Sequence, residues 1–341
     1  MKHTTLKDVA KQCGVSMTTA SLVLNNCKNS IPQITKDKIK ETAKVLNYQP
    51  NRIALSLATQ KSKSVGIIVP DISNGFFADS IKNIQIELNN NGYEVFVCNT
   101  DEKHKNDIRY IELLVSRKVD GIIITISAES MVNDNWKQIK ELLDYNSLPY
   151  VLYDRFYPGN PPKVYVNNQL AAYEVAKLLI AKGHKEIGVI TGPLSLNSSA
   201  GRLQGVKEAF QEINVSIKEE NIFKGQYNYF SGKEGGLILL KNKVSAVFCF
   251  NDLQAYGVME IAQKQNLSIP KDFSLVGFDD IFYSSILNTQ LTTVRQPITE
   301  MAKQAVKLLL DLINNISTNT DISLPGEIII RDSLSEVNNE R

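Results

Sequence analysis

Planar side chains that grip hydroxyls recur where the short β-rich runs of this 341-residue sequence end. Asp71 and Asn74 follow Val65 to Pro70, Asp154-Arg155 close Tyr150 to Asp154, and Gly192 ends Glu186 to Gly192. Asn251-Asp252 follow Ala246, Asp279-Asp280 end Ser274 to Asp280, and Gln296 lies beyond them. A carboxylate accepts from two hydroxyls at once, while Arg and Asn present fixed forks, so the set suits vicinal hydroxyls. Phe76 and Phe77 come directly after Asn74 and can pack on the apolar faces of a pyranose or furanose ring. Each polar residue alone also reads as a helix N-cap or a loop-capping Asx; the set points further than its members.

The same residues make a poor catalytic apparatus. Asp154 and Asp279 resemble a glycosidase pair only if one carboxyl is raised at a defined separation, and Arg155 and Arg202 are expected to lower both. GxGxxG, P-loop, HExxH and GxSxG motifs are missing, and none of the three histidines lies near a nucleophile motif. No enzyme activity, catalytic residue, metal ligand or cofactor is expected. His104 and His184 read as surface or capping residues, and Trp136 and Tyr173 as packing. Cys13, Cys27, Cys98 and Cys249 form no CxxC pair, the pattern of inert thiols in a reducing compartment. With no signal-like N-terminus and no long apolar run, the expected location is the cytoplasm, without a membrane partner.

The elements that must position these residues alternate. Strand-like runs at Val65 to Pro70, Tyr93 to Asn99, Gly121 to Thr125, Tyr150 to Asp154, Glu186 to Gly192, Ala246 to Asn251 and Ser274 to Asp280 interleave with helix-like stretches. The latter are Phe76 to Asn91, Asp107 to Arg117, Asn168 to Ala181, Gly201 to Ile213 and Leu253 to Gln265. Such alternation predicts parallel sheets with right-handed crossovers. The Pro-rich segment Pro158 to Lys163 divides two such blocks, so two α/β lobes flank a cleft, with ligands at the carboxyl ends of the strands.

The net charge of +2 hides a split. Met1 to Lys63 carries eleven Lys or Arg against three acids, a net of +8, and the remainder carries 27 against 33, a net of −6. The basic end suits a polyanion. Leu6, Val9, Ala10 and Cys13 recur at helical spacing before Gly14, and Ser16 caps a second helix carrying Thr19, Ala20, Val23 and Leu24 to Asn25. Two short helices around a glycine turn make a helix-turn-helix. Its second helix would lay Met17, Thr18, Ser21 and Leu22 toward base edges, with Met17 and Leu22 limited to apolar contact such as thymine methyls. Thr35 is expected to cap a third helix with Ile39, Ala43 and Leu46 on one face.

Thr5-Leu6-Lys7-Asp8-Val9-Ala10, Gly14-Val15-Ser16, Asn47-Tyr48 and Pro50-Asn51-Arg52-Ile53-Ala54 resemble the headpiece and hinge of the LacI/GalR family of bacterial transcriptional regulators. The likeness continues through Val65 to Asp71, Asp120-Gly121-Ile122-Ile123, Ala200-Gly201-Arg202, Val276 to Asp280 and Arg331-Asp332-Ser333. It implies an all-α helix-turn-helix headpiece over 1–50, a hinge helix and linker over 51–63, and a two-lobed, periplasmic-binding-protein-like α/β effector and dimerisation domain over 64–341. Lobe one would take about 64–160 and 292–321, and lobe two about 161–291 and 322–341, with three chain crossings. Thr5, Leu6, Ser16, Met17, Thr18, Thr19, Ser21, Leu22, Asn25, Asn51, Arg52, Ala54 and Leu57 fall at DNA-binding positions, Leu57 as the wedge entering the minor groove. Asn74, Phe76, Phe77, Asp154, Arg155, Arg202, Asn251, Asp279 and Gln296 fall where ribose-type binders hold sugar. The chain departs from the common pattern at Ala20, Leu22 and Gly75. The resemblance implies a homodimeric repressor on double-stranded operator DNA, controlled by a small sugar, with a pentose such as ribose favoured. Alternatives are a nucleobase corepressor or control by a phosphorylated carrier protein. No leucine-heptad tail follows Arg331, so a coiled-coil tetramer is not expected.

Overall fold

Local capping sets out the first unit. In the computed structural model, which describes residues 4–25, 30–48 and 61–337, α1 (Leu6–Cys13) opens on a capping box. Asp8 N donates to Thr5 Oγ1, and Asp8 Oδ2 accepts from Thr5 N at 2.8 Å. Gly14, at φ +71°, ends the helix in the left-handed conformation that a Cβ disfavours. Ser16 then caps α2 (Met17–Leu24), its Oγ accepting from Thr19 N at 3.0 Å. The third helix, α3 (Gln33–Val45), starts two residues before the expected Thr35 cap. Pro32 takes that place, its φ of −54° being preset and its carbonyl accepting from Thr35 N and Lys36 N. Val9, Ala10, Cys13, Ala20, Val23, Ile39 and Ala43 close a small core.

Residues 64–341 form a second compact unit, separate from 1–63. Its first sheet is parallel, in the order β11-β5-β4-β3-β1-β2: Asp321–Leu324, Lys163–Val166, Tyr150–Tyr153, Gly121–Ile124, Ser64–Val69 and Glu94–Asn99. Strand β1 is buried at every position, as expected of a continuous apolar run covered on both faces. One cover is α4 (Gly75–Asn90) with a late helix, α11 (Ile298–Ile313); the other is α5 (His104–Ser116) with α6 (Trp136–Tyr145). Trp136 stacks on Tyr157, with ring centroids 4.9 Å apart, and so serves packing.

The second sheet, also parallel, runs β7-β6-β8-β9: Ile222–Lys224, Ile187–Thr191, Ala246–Cys249 and Ser274–Val276. Helices α7 (Asn168–Ala181) and α8 (Asn197–Glu212) cover one face, and α9 (Tyr229–Lys241) and α10 (Asp252–Lys264) the other. The ribbon β10 (Thr293–Arg295) and β12 (Glu327–Ile329) is antiparallel and continues this lobe through the bridges Val276 to Thr292 and Asp279 to Arg295. The fold is α/β, two-lobed, with an N-terminal helix-turn-helix.

The chain crosses between lobes three times, each a few residues later than the sequence pattern predicts. Lys163–Val166, expected to follow the first boundary, is an interior strand of the first sheet, so the chain leaves near Asn167. Val294 packs in the second lobe's core and Met301 in the first's, which moves the return from about 292 to Gln296-Pro297. Asp321–Leu324 pairs with β5, so the last crossing falls after Leu324. Helix α8 likewise starts four residues before the expected Gly201.

Candidate functional site

Segments that follow β1, β4, β7, β8, β9 and β10 deliver side chains to the cleft between the lobes. The structure brings all nine expected residues, Asn74 through Gln296, around one narrow interlobe cavity, and adds Ser198 and Tyr227. Asn74, Phe76 and Phe77 stand at the start of α4, and Asp154 and Arg155 follow β4. Ser198 and Arg202 lie on α8; Tyr227, Asn251, Asp279 and Gln296 follow β7, β8, β9 and β10. Asp71, Asp252 and Asp280 are not in the lining. Asp71 Oδ1 accepts from Ser73 N at 2.9 Å, and Asp280 pairs with Arg295 at 2.7 Å and Arg331 at 2.6 Å.

Both readings of the asparagines hold at once. Asn74 Oδ1 accepts from Phe76 N at 3.0 Å and caps α4, leaving its amide NH2 to offer the cavity. Asn251 caps α10 through Gln254 N at 3.0 Å, and its Nδ2 donates to Tyr227 O at 3.2 Å.

The two arginines are held from behind. Arg155 Nη1 donates to Glu102 Oε2 at 2.9 Å and to Ile126 O at 3.2 Å, and the guanidinium lies 5.4 Å from the Phe77 ring centroid. Arg202 Nε donates to Asn168 Oδ1 at 2.8 Å, its Nη1 reaches Phe250 O, and the group sits 3.5 Å over the Phe278 ring. Gln296 Nε2 donates to Asp279 Oδ1 at 2.7 Å. Three cavity atoms remain buried and without a hydrogen-bond partner among the described residues, Asp154 Oδ1, Arg155 Nε and Gln296 Oε1, although Arg155 Nε lies 4.0 Å from Asp154 Oδ2. Buried polar groups of this kind are costly unless a ligand or water completes them.

Burial pushes the Asp154 carboxyl up from its ordinary range, outweighing the opposing pull of Arg155 and Arg202. Burial also raises Asp279 well above that range against Arg202. This corrects the expectation that the arginines would lower both: desolvation wins because each carboxyl is sealed from water. Asp154 and Asp279 both sit at positive φ, +63° and +118°.

Sequence reasoning missed Tyr227 and Ser198. Tyr227 lies beyond the three-residue strand β7, too short to announce itself, and its hydroxyl is 3.1 Å from Ser198 Oγ. The signal was Gly192, where a Cβ would stand 2.5 Å from the Tyr227 ring.

In the first unit, Met17 is 51% exposed and Thr18 is exposed at the head of α2. Leu22 is half-buried. Ser16 and Thr19 hydroxyls lie 2.8 Å apart, bonded to each other, and Asn25 Nδ2 donates to Ser21 Oγ at 3.1 Å. Thr5 serves the α1 cap, and Leu6 packs on the small core. Asn51, Arg52, Ala54 and Leu57 lie outside the described residues.

A helix-turn-helix followed by a periplasmic-binding-protein-like body with an interlobe cavity defines a class of DNA-binding regulators. Residues 5–51 match the model for bacterial regulatory proteins of the lacI family, and residues 176–334 match a periplasmic binding protein-like domain. The chain is 32% identical over 338 residues to the HTH-type transcriptional regulator DegA of Bacillus subtilis (strain 168), covering 98% of this chain and 99% of that one. It belongs to the LacI family and is a DNA-binding transcriptional regulator. Its fold superposes on the lac repressor dimer bound to operator and the anti-inducer ONPF, with TM-score 0.87, 24% identity, and 97% and 99% of the two chains covered. A LacI family regulator from Enterococcus faecium with bound ribose gives TM-score 0.72 at 27% identity over 81% of this chain and 100% of that one. Among the described residues, no helix is long and apolar enough to cross a membrane, and no group of three His, Cys, Asp or Glu could hold a metal ion.

Proposed function

We propose that this regulator is a homodimeric repressor whose affinity for a pseudo-palindromic operator is set by a small sugar, a pentose such as ribose, in the interlobe cavity. The observation that carries the reading is the unpartnered trio: Asp154 Oδ1 and Gln296 Oε1 accept, Arg155 Nε donates, and each is buried in the described structure. A hydroxyl both donates and accepts, so a polyol satisfies all three. The ribose-bound relative supports the same choice.

The lining comes from both lobes, so a ligand gains its full set of contacts only when they are closed together. Such differential affinity lets it shift the population of lobe arrangements, and a coupling of about 1–3 kcal/mol changes operator affinity about 5 to 150 fold. Large apolar side chains exposed at Phe230, Leu237, Ile238, Phe282, Tyr283 and Ile286 support a partner subunit on the second lobe.

The test is a thermal-shift panel of sugars, sugar phosphates and purines on the full chain. Stabilisation by a pentose, with a change in operator binding, supports the reading. No stabilisation by any sugar at millimolar concentration overturns it, and a response to purines alone moves the effector to a nucleobase.

A further inference from the structure

Asp252 is not in the lining of the interlobe cavity, yet its carboxylate is fully buried at the start of α10 and serves three donors. Oδ2 accepts from Ile281 N at 2.9 Å and Ser284 Oγ at 2.7 Å; Oδ1 accepts from Thr293 Oγ1 at 2.6 Å. Its own N donates to Phe278 O at 2.8 Å. Gly277 makes room, since a Cβ there would stand 2.3 Å from Asp252 Oδ1.

These bonds converge on the segment that carries Asp279 at φ +118°, a backbone conformation that persists only where its surroundings over-determine it. The crossing strand holds the same segment from the other side: Gly277 N donates to Thr292 O at 2.9 Å and Asp279 N to Val294 O at 2.8 Å. Thr293, between them, is the residue Asp252 fastens. Three positions further on, Gln296 returns to Asp279.

We infer that Asp252 is a positioning residue for the effector cavity: by tying the turn after Asp279 and the crossing strand to the start of α10, it fixes both Asp279 and Gln296. A carboxylate suits the place because all three neighbours donate. Asn can stand in, because the Thr293 hydroxyl rotates to accept from an amide NH2. Ala cannot, and it strands the Ile281 N–H. The effect on affinity rests on the reading of Asp279 and Gln296 as effector contacts; the effect on geometry does not.

The experiment compares full-length wild type, Asp252→Ala and Asp252→Asn by ligand-free crystal structure and by calorimetric titration with D-ribose well below melting. In Asp252→Ala, Asp279 should leave positive φ, the Gln296 to Asp279 bond should open, and D-ribose should bind about tenfold or more weakly. Asp252→Asn should retain the geometry and the affinity. An Asp252→Ala structure that keeps both the positive φ and the bond overturns the inference, as does an Asp252→Asn variant as impaired as Ala. If Asp252→Ala does not fold, Thr293→Val, which deletes one of the three bonds, replaces it: an opened Gln296 to Asp279 bond supports the inference, and retained φ and bond overturn it. Absence of D-ribose binding by wild type defeats the sugar reading alone, and the crystallographic comparison still decides this one.

Discussion

Asn197 of the second lobe grips the backbone of the first on both sides of Arg155: its Oδ1 accepts from Phe156 N at 3.1 Å, and its Nδ2 donates to Asp154 O at 3.2 Å. These bonds exist only while the lobes are together, so they favour the closed arrangement, although Asn197 itself is not in the cavity lining. Each is worth about 1 kcal/mol net. Asn197→Ala should therefore raise the dissociation rate of a bound effector about tenfold or more. Stopped-flow release reads the rate; a lowered melting temperature with unchanged release would make Asn197 a structural residue only.

Gly192 and Tyr227 give a second handle. A Cβ at Gly192 would stand 2.5–2.7 Å from three Tyr227 ring carbons, closer than such atoms approach, so Gly192→Ala must displace this ring of the cavity lining. Overpacking of this kind costs about 1–3 kcal/mol, and here it also disturbs the lining. Effector binding should vanish in Gly192→Ala. It should return in part in Gly192→Ala/Tyr227→Leu, where the smaller side chain relieves the clash; calorimetric titration distinguishes relief from general damage.

How much of this was legible depends on what each residue reports about itself. Val65 through Val69 announce a strand because both faces are covered and nothing polar interrupts them. Lys163–Val166 and Asp321–Leu324 did not: each carries polar residues, and their pairing joins positions far apart in sequence. Asn74 and Asn251 were readable as caps or as cleft residues, and a planar amide is both. The rise of the Asp154 and Asp279 carboxyls was not legible, because neighbouring arginines appear in the sequence and the loss of water does not.

That burial has a pH signature. Desolvation carries the Asp252 carboxyl from 3.8 up to about 7, so its folded value lies above its unfolded one. Its contribution to stability is then fully present below the unfolded value and is lost as pH rises through about 7. Going from pH 8 to pH 6 should stabilise the chain by about 1.4 kcal/mol through this group, with raised Asp154 and Asp279 acting in the same direction. His184 opposes them: burial lowers its value, so folding is penalised as pH falls through the unfolded value of 6.5. Subtracting the Asp252→Asn melting profile from that of wild type isolates the Asp252 part. A flat difference between pH 6 and pH 8 would show that this carboxyl does not titrate there.

If α2 enters the major groove, its side chains make a chemical demand on the operator. Helix α2 carries no charged side chain; its Ser16 and Thr19 hydroxyls bond to each other, and Ser21 is engaged by Asn25. Met17 and Leu22 then offer apolar contact while Thr18 and Ser21 keep a hydroxyl proton to donate, so the expected readout includes thymine methyls and no charged fork takes the paired acceptors of guanine. Replacing a contacted thymine by deoxyuridine removes that methyl and should cost about 0.8 kcal/mol, roughly fourfold in affinity. Replacing guanine N7 by carbon within the half-sites should cost little. The salt dependence should be the same on both DNAs, because phosphate attraction comes from the eleven Lys or Arg of residues 1–63 and not from the bases. A fragment starting at Ser64 should lose that salt-dependent binding altogether. Fluorescence anisotropy with substituted operators measures all three quantities, and a tenfold loss on guanine substitution with none on deoxyuridine would reverse the assignment of readout to Met17 and Leu22.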